Sequence, residues 1–131
     1  MAYGMSTTVD RPFDSVVTEV RSALAQQGFG VITEIDMQAT LRNKLGEEIG
    51  SHVILGACSP SHAFRALQAE PGIGLLLPCN VVVRADESGT VVEVINPEML
   101  VDLTANAEMT TVADEVTASL KAVLDTVAAG A

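Results

Sequence analysis

Two cysteines, two histidines and a handful of carboxylates are the side chains of this sequence that could do chemistry. Cys58 closes an apolar stretch, His52 to Cys58, and is followed at once by Ser59-Pro60, a pair that starts helices. A thiol at a helix start meets unpaired N–H groups and the positive end of the dipole. Both lower its pKa and favour a thiolate nucleophile or metal ligand. Against this, cysteine is among the most buried residue types and often acts as a small hydrophobe. Cys79 follows Pro78 at the start of another apolar run. If its strand lies beside the 52–58 strand, the two sulfurs approach each other, as a redox switch or as two separate core thiols. His52 and His62 complete a Cys₂His₂ set, but no C-x₂-C occurs and the spacing is not that of a zinc finger. No metal is therefore expected.

Glu34 and Asp36 alternate onto one strand face, with Lys44 one short helix away. The functional reading is a polar pocket in which Lys44 lowers a carboxylate pKa or binds an anion. The plainer reading is a capping Asp, a surface Glu and a solvated Lys, whose pairings are worth little. Asn80 either orients a ligand or satisfies strand-end backbone groups. Gly28-Phe29-Gly30 and Gly72-Ile73-Gly74 lack the third Gly of a dinucleotide fingerprint, and neither G-x-S-x-G nor a P-loop occurs. The candidate ligand-binding residues are thus Glu34, Lys44, Cys58, Cys79 and Asn80, with no cofactor implied.

Length and composition bound the rest. At 131 residues the chain is expected to form a single domain. A hydrophobic fraction of 48% with 18% charged residues excludes intrinsic disorder. A formal charge of −10 repels phosphate backbones, and three Phe and one Tyr offer little for base stacking, so no nucleic acid is expected. The first residues, Met1 to Thr8, have neither the basic nor the apolar region of a secretory signal. The run Ile73 to Val83 is interrupted by Pro78, Cys79 and Asn80 and is too short to span a bilayer. Two cysteines do not make a secreted disulfide scaffold, which points to a cytoplasmic chain with reduced thiols and no membrane association.

The elements that must position these groups follow from periodicity. Residues 2–9 read as extended, and 12–27 as a helix with Phe13, Val16, Val17, Val20, Ala23 and Leu24 on one face. Residues 29–36 alternate as a strand. Asp36 caps a short helix carrying Met37, Leu41 and Leu45 and ending at Gly46. His52 to Cys58 is a strand, and a helix follows from Ser59-Pro60 to the stop at Pro71-Gly72, with Ala63, Phe64 and Leu67 as its buried stripe. Residues 78–86 and 90–96 form a hairpin across Asp86-Glu87-Ser88-Gly89. Pro97 opens a helical turn through Leu103, and the last helix runs from about Ala107 to Val127. The order β-α-β-(α)-β-α-β-β-(α)-α predicts a two-layer α+β domain, with helices on one face of a mostly antiparallel sheet. Val81, Val82 and Val83 make one strand apolar on both faces, so the free face calls for a cover, most simply a second copy about a twofold axis.

Three stretches together carry a resemblance. They are Gly28-Phe29-Gly30-Val31-Ile32-Thr33-Glu34-Ile35-Asp36, Ile54-Leu55-Gly56-Ala57-Cys58-Ser59-Pro60, and Gly74-Leu75-Leu76-Leu77-Pro78-Cys79-Asn80-Val81-Val82-Val83. In this order and spacing the chain resembles the bacterial and archaeal family called domain of unknown function 302. The resemblance implies an α+β fold and a tendency to homodimers, and it implies no established activity. Ser59 stands where the family usually has Asn, a mild change because both cap helices. Lys44 sits where the family pattern has Lys.

Two functional expectations result. The first is a homodimeric small-ligand-binding or interaction module, with a pocket near Cys58, Cys79 and Asn80. The second is a thiol-dependent redox or sulfur-transfer protein, with Cys58 as nucleophile and Cys79 as resolving thiol. A purely structural role in a larger assembly is a third reading, marked by an uncovered apolar patch without a pocket.

Overall fold

The computed structural model describes residues 2–130; Met1 and Ala131 lie outside the described residues. Five strands form one antiparallel sheet: β1 (Gly4–Val9), β2 (Gly30–Asp36), β3 (His52–Cys58), β4 (Cys79–Asp86) and β5 (Gly89–Ile95). Their spatial order is β1-β5-β4-β3-β2. The helices are α1 (Phe13–Gln26), α2 (Met37–Leu45), α3 (Pro60–Ala69), α4 (Glu98–Thr104) and α5 (Thr110–Ala128). The chain is thus α+β, as its element order predicts.

The ends of α1 follow local chemistry. Pro12, fixed near φ −59°, precedes the first turn, and Gly28 takes the left-handed φ of 83° just past the last. Val16, Val20, Ala23 and Leu24 are the buried face of α1. On α5, Val112, Val116, Leu120, Val123 and Val127 lie in the same core. The sheet contributes Val53, Leu55, Ala57, Val81, Val83, Val92 and Val94 from its helix-facing side. Each fully buried Val or Leu contributes about 1.5–3 kcal/mol, so this one layer dominates stability.

The hairpin joining β4 and β5 is held by Asp86. Its Oδ1 accepts from the Ser88 N–H at 2.8 Å and from the Ser88 hydroxyl at 2.6 Å. Those bonds from Ser88, with the nearby Arg84 guanidinium, hold the Asp86 carboxyl below the usual range. The turn is tighter than expected. Gly89 already pairs with Asp86, at a φ of 133° that only glycine adopts easily, and the return strand therefore starts one residue earlier.

Two other expectations need correction. The last helix is preceded by a separate 3-10 turn at Ala107–Met109, because the Asn106 side chain caps that turn through the Glu108 N–H at 2.9 Å. The buried stripe of α3 is not Ala63, Phe64 and Leu67. Phe64 is 62% exposed and Leu67 43%, whereas Ala66 is buried. Ala66 falls on the inner side of the helix, and Phe64, two residues before it, falls on the outer side.

The face of the sheet away from the helices is not uniformly polar. Ile35, Ile54 and Val82 sit opposite one another across β2, β3 and β4, and Glu93 continues the row on β5. Ile35 is 46% exposed, and Ile54 and Val82 are half-buried. Beside them Arg84 donates to Glu93 at 2.8 Å.

Candidate functional site

β3 and α3 meet at Cys58-Ser59-Pro60, and β4 begins beside them, since Ala57 pairs with Cys79. Here the helices and the sheet end do not close on each other. A cavity of about 340 Å³ remains, with Phe29, Ala57 and Leu77 at the sheet end, Ala63 and Ala66 on α3, and Val112 and Val116 on α5. Cys58, Cys79, Ser59 and His62 also line it. Apolar lining with a few polar groups at one edge is the usual character of a small-molecule site.

Gly56 makes this corner possible. A Cβ built there would lie 2.7 Å from Cγ of Pro78 and would also meet the Thr33 hydroxyl. Only glycine lets the Pro78 segment fold down over β3 and bring Cys79 in beside Ala57.

The two thiols are unbonded. Cys79 is buried, and burial first, then the neighbouring Cys58, pushes its thiol up to about 11. It is therefore a neutral thiol at ordinary pH. Cys58 is half-buried.

Ser59 is the N-cap residue of α3, but its hydroxyl makes no bond to the backbone of the first turn. It lies instead 2.7 Å from Nδ1 of His62. Nε2 of His62 lies 3.1 Å from Oε1 of Glu115 on α5. Arg65, one turn beyond His62, donates to both Glu115 oxygens, at 2.9 and 3.0 Å. These bonds, Arg65 first and His62 second, hold the Glu115 carboxyl down at about 2. The same pairing raises the pKa of Arg65. Ser59, His62, Glu115 and Arg65 thus form one hydrogen-bonded line, and its Ser59–His62 end borders the cavity.

The other sequence-predicted residues lie elsewhere. Asn80 alternates away from Cys79 and is exposed in a shallow depression with Tyr3, Gly4, Val82 and Glu93. Glu34 pairs with Arg21 of α1 rather than with Lys44. Asp36 caps α2 through the Ala39 N–H at 2.9 Å. Lys44 is exposed near the end of α2 and makes no ion pair among the described residues. Among the described residues, no three His, Cys, Asp or Glu side chains are grouped to hold a metal ion. From the sequence Ser59 reads only as a cap and His62 only as a metal ligand, and nothing singles out Arg65 or Glu115. The spacings Ser59-x-x-His62 and His62-x-x-Arg65 place adjacent side chains on one helix and were readable; Glu115 enters only through the packing of α5.

A family model described as "Domain of unknown function DUF302" matches residues 5–127. The chain belongs to the DUF302 family. The fold is similar to a solved structure described as an uncharacterized conserved DUF302 protein from Bacillus stearothermophilus. The two are 27% identical, with a TM-score of 0.89 over 96% of this chain and 98% of that one. No curated protein is detectably similar to this DUF302 chain. Among the described residues, no helix is long and apolar enough to cross a membrane.

Proposed function

We propose that this DUF302 chain is a homodimeric binding module that takes a small, largely apolar ligand into the cavity between β3, α3 and α5. The supporting observation is the 340 Å³ apolar cavity, edged by Cys58, Cys79, Ser59 and His62. Of the residues expected to bind ligand, Cys58 and Cys79 belong to this site; Glu34, Lys44 and Asn80 do not. The dimer draws on the row Ile35, Ile54 and Val82, which a second copy would cover. Two unbonded thiols suit a reducing, cytoplasmic setting, and the charge of −10 gives nucleic acid and anionic membranes no role.

The test is a titration with an anilinonaphthalene-sulfonate dye, competed by octanoate. Ala113, 1% exposed, lines the cavity, and Ala113→Leu fills it. Saturable dye binding that octanoate displaces and Ala113→Leu abolishes, in a variant that still melts cooperatively, is the expected result. Equal binding by wild type and variant sinks the reading.

The thiol-transfer reading ranks second. It is favoured by both cysteines lining one cavity, with Cys58 as nucleophile and Cys79 as resolving thiol. The Cys79 thiol at about 11 weighs against it, because little thiolate is present near neutral pH.

A further inference from the structure

The line from Ser59 to Glu115 has a direction. Glu115, held anionic by two bonds from Arg65, can only accept hydrogen bonds. Between that acceptor and the Ser59 hydroxyl, the His62 tautomer that fits carries its proton on Nε2, 3.1 Å from Glu115. Nδ1 is then a bare lone pair, and the Ser59 hydroxyl at 2.7 Å donates into it. Hydroxyl, base and orienting carboxylate stand in the order that activates an oxygen nucleophile.

The first turn of α3 supports the same chemistry. Pro60 has no N–H, and the Ser59 oxygen leaves the turn uncapped. The N–H groups of Ser61 and His62 lie in that turn, where no intrahelical partner exists. Such free N–H groups at a helix start are suited to stabilise an oxyanion formed by attack of the adjacent Ser59 on a carbonyl. Ser59 also lines the apolar cavity.

We infer that Ser59 is the nucleophile of an acyl-transfer site, with His62 as its base and Glu115 as positioning residue, acting on an ester or thioester of a small apolar acid whose acyl chain occupies the cavity. This rests on the binding reading above. Ser59 Oγ bonds to the acyl carbon while its proton passes to His62 Nδ1. The acyl C–O or C–S bond breaks, and that proton leaves with the alcohol or thiol. Water then gives a proton to Nδ1 and its oxygen to the acyl carbon. The bond to Ser59 breaks, Ser59 recovers the proton, and the free acid departs. Nothing is oxidised or reduced.

The experiment uses the full chain with p-nitrophenyl hexanoate, following nitrophenol release and locating the acyl adduct by intact mass and peptide mapping. The expected outcome is release above buffer with the adduct on Ser59. Ser59→Ala and, separately, His62→Gln should lower the rate by about a hundredfold or more. Glu115→Gln should lower kcat with KM held, a split that a merely structural role would not give. Dye binding by the Ser59→Ala and His62→Gln variants reports that their cavities are intact. If wild type binds the dye but releases no nitrophenol, or if the adduct maps to Cys58, the inference is overturned and the binding reading stands. If wild type does not bind the dye, both fall.

Discussion

His62 Nε2 on α3 lies 3.1 Å from Glu115 Oε1 on α5. With the two bonds from Arg65 to the same carboxylate, this contact ties together the helices that wall the cavity. The tie couples the cavity wall to pH, because its centre is a titratable group.

Glu115 makes the first prediction. Its carboxyl falls from the ordinary 4.5 to about 2 on folding, through the bonds from Arg65 and then His62. The folded state therefore binds this proton less tightly than the unfolded chain. The stabilisation is complete above pH about 4.5 and is lost as pH falls toward about 2. Circular dichroism melts across that window should show the gap between wild type and Glu115→Gln closing as acid is added. A gap that stays constant would mean that Glu115 is not held by these bonds. The carboxylate is exposed, so the effect should be modest and should shrink in high salt.

Cys79 predicts the opposite pH dependence. Its thiol rises from 9.0 to about 11, so the folded state holds the proton more tightly than the unfolded chain. Stability from this group is full below pH about 9 and is lost as pH rises through about 11. The loss above that range is about 2–3 kcal/mol. Urea titrations at stepped pH should show a steeper alkaline decline for wild type than for Cys79→Ala. Iodoacetamide at neutral pH should label half-buried Cys58 well before buried Cys79. Faster labelling of Cys79 would overturn both the burial argument and the second rank given to thiol chemistry.

Gly56→Ala tests the corner itself. The new methyl would meet the Thr33 hydroxyl, which can rotate away at an exposed position, and the Pro78 ring at 2.7 Å, which is fixed to its own backbone. Forcing that ring off β3 should cost about 1–3 kcal/mol. Because Pro78 and Cys79 line the cavity, dye affinity should fall with it. An unchanged melting temperature together with unchanged dye affinity would show that the Pro78 segment is free to move.

How far the sequence reached depended on whether a signal was local. His52 to Cys58 was legible as a strand because apolar, largely β-branched and small residues run between clear breakers. Asp36 and Gly46 bracket α2, because capping is a property of a few adjacent residues. Phe64 reads as buried and is exposed, because hydrophobicity on a helix does not say which side a neighbouring helix approaches. Ala66 turns to the core, which leaves Phe64 on the opposite side. Cys58 and Cys79 were expected to approach each other only if β3 and β4 paired, which they do through Ala57 and Cys79. Asn80, one residue on, alternates to the other side, and that follows from strand geometry alone. Glu115 was out of reach, since nothing within α5 separates it from any other solvent-facing acid of that helix.

The last prediction concerns the open sheet face. Ile35, Ile54 and Val82 are in register across three strands, and Ile35 is 46% exposed. Water against such a row is unfavourable by about 25 cal/mol for each Å² of apolar surface, so a second copy would gain by covering it. Polar neighbours would set the register of that contact, with the Arg84–Glu93 pair at 2.8 Å beside the row. Ile54→Lys places a charge at the middle of the three, where a twofold partner would bring its own copy close and repel it. Sedimentation equilibrium at micromolar concentration should give a dimer for wild type and a monomer for Ile54→Lys, both with the same circular dichroism. A wild-type monomer under those conditions would leave the row facing water and remove the second copy from the proposal. The cavity would be untouched by that outcome, because Ile35, Ile54 and Val82 do not line it.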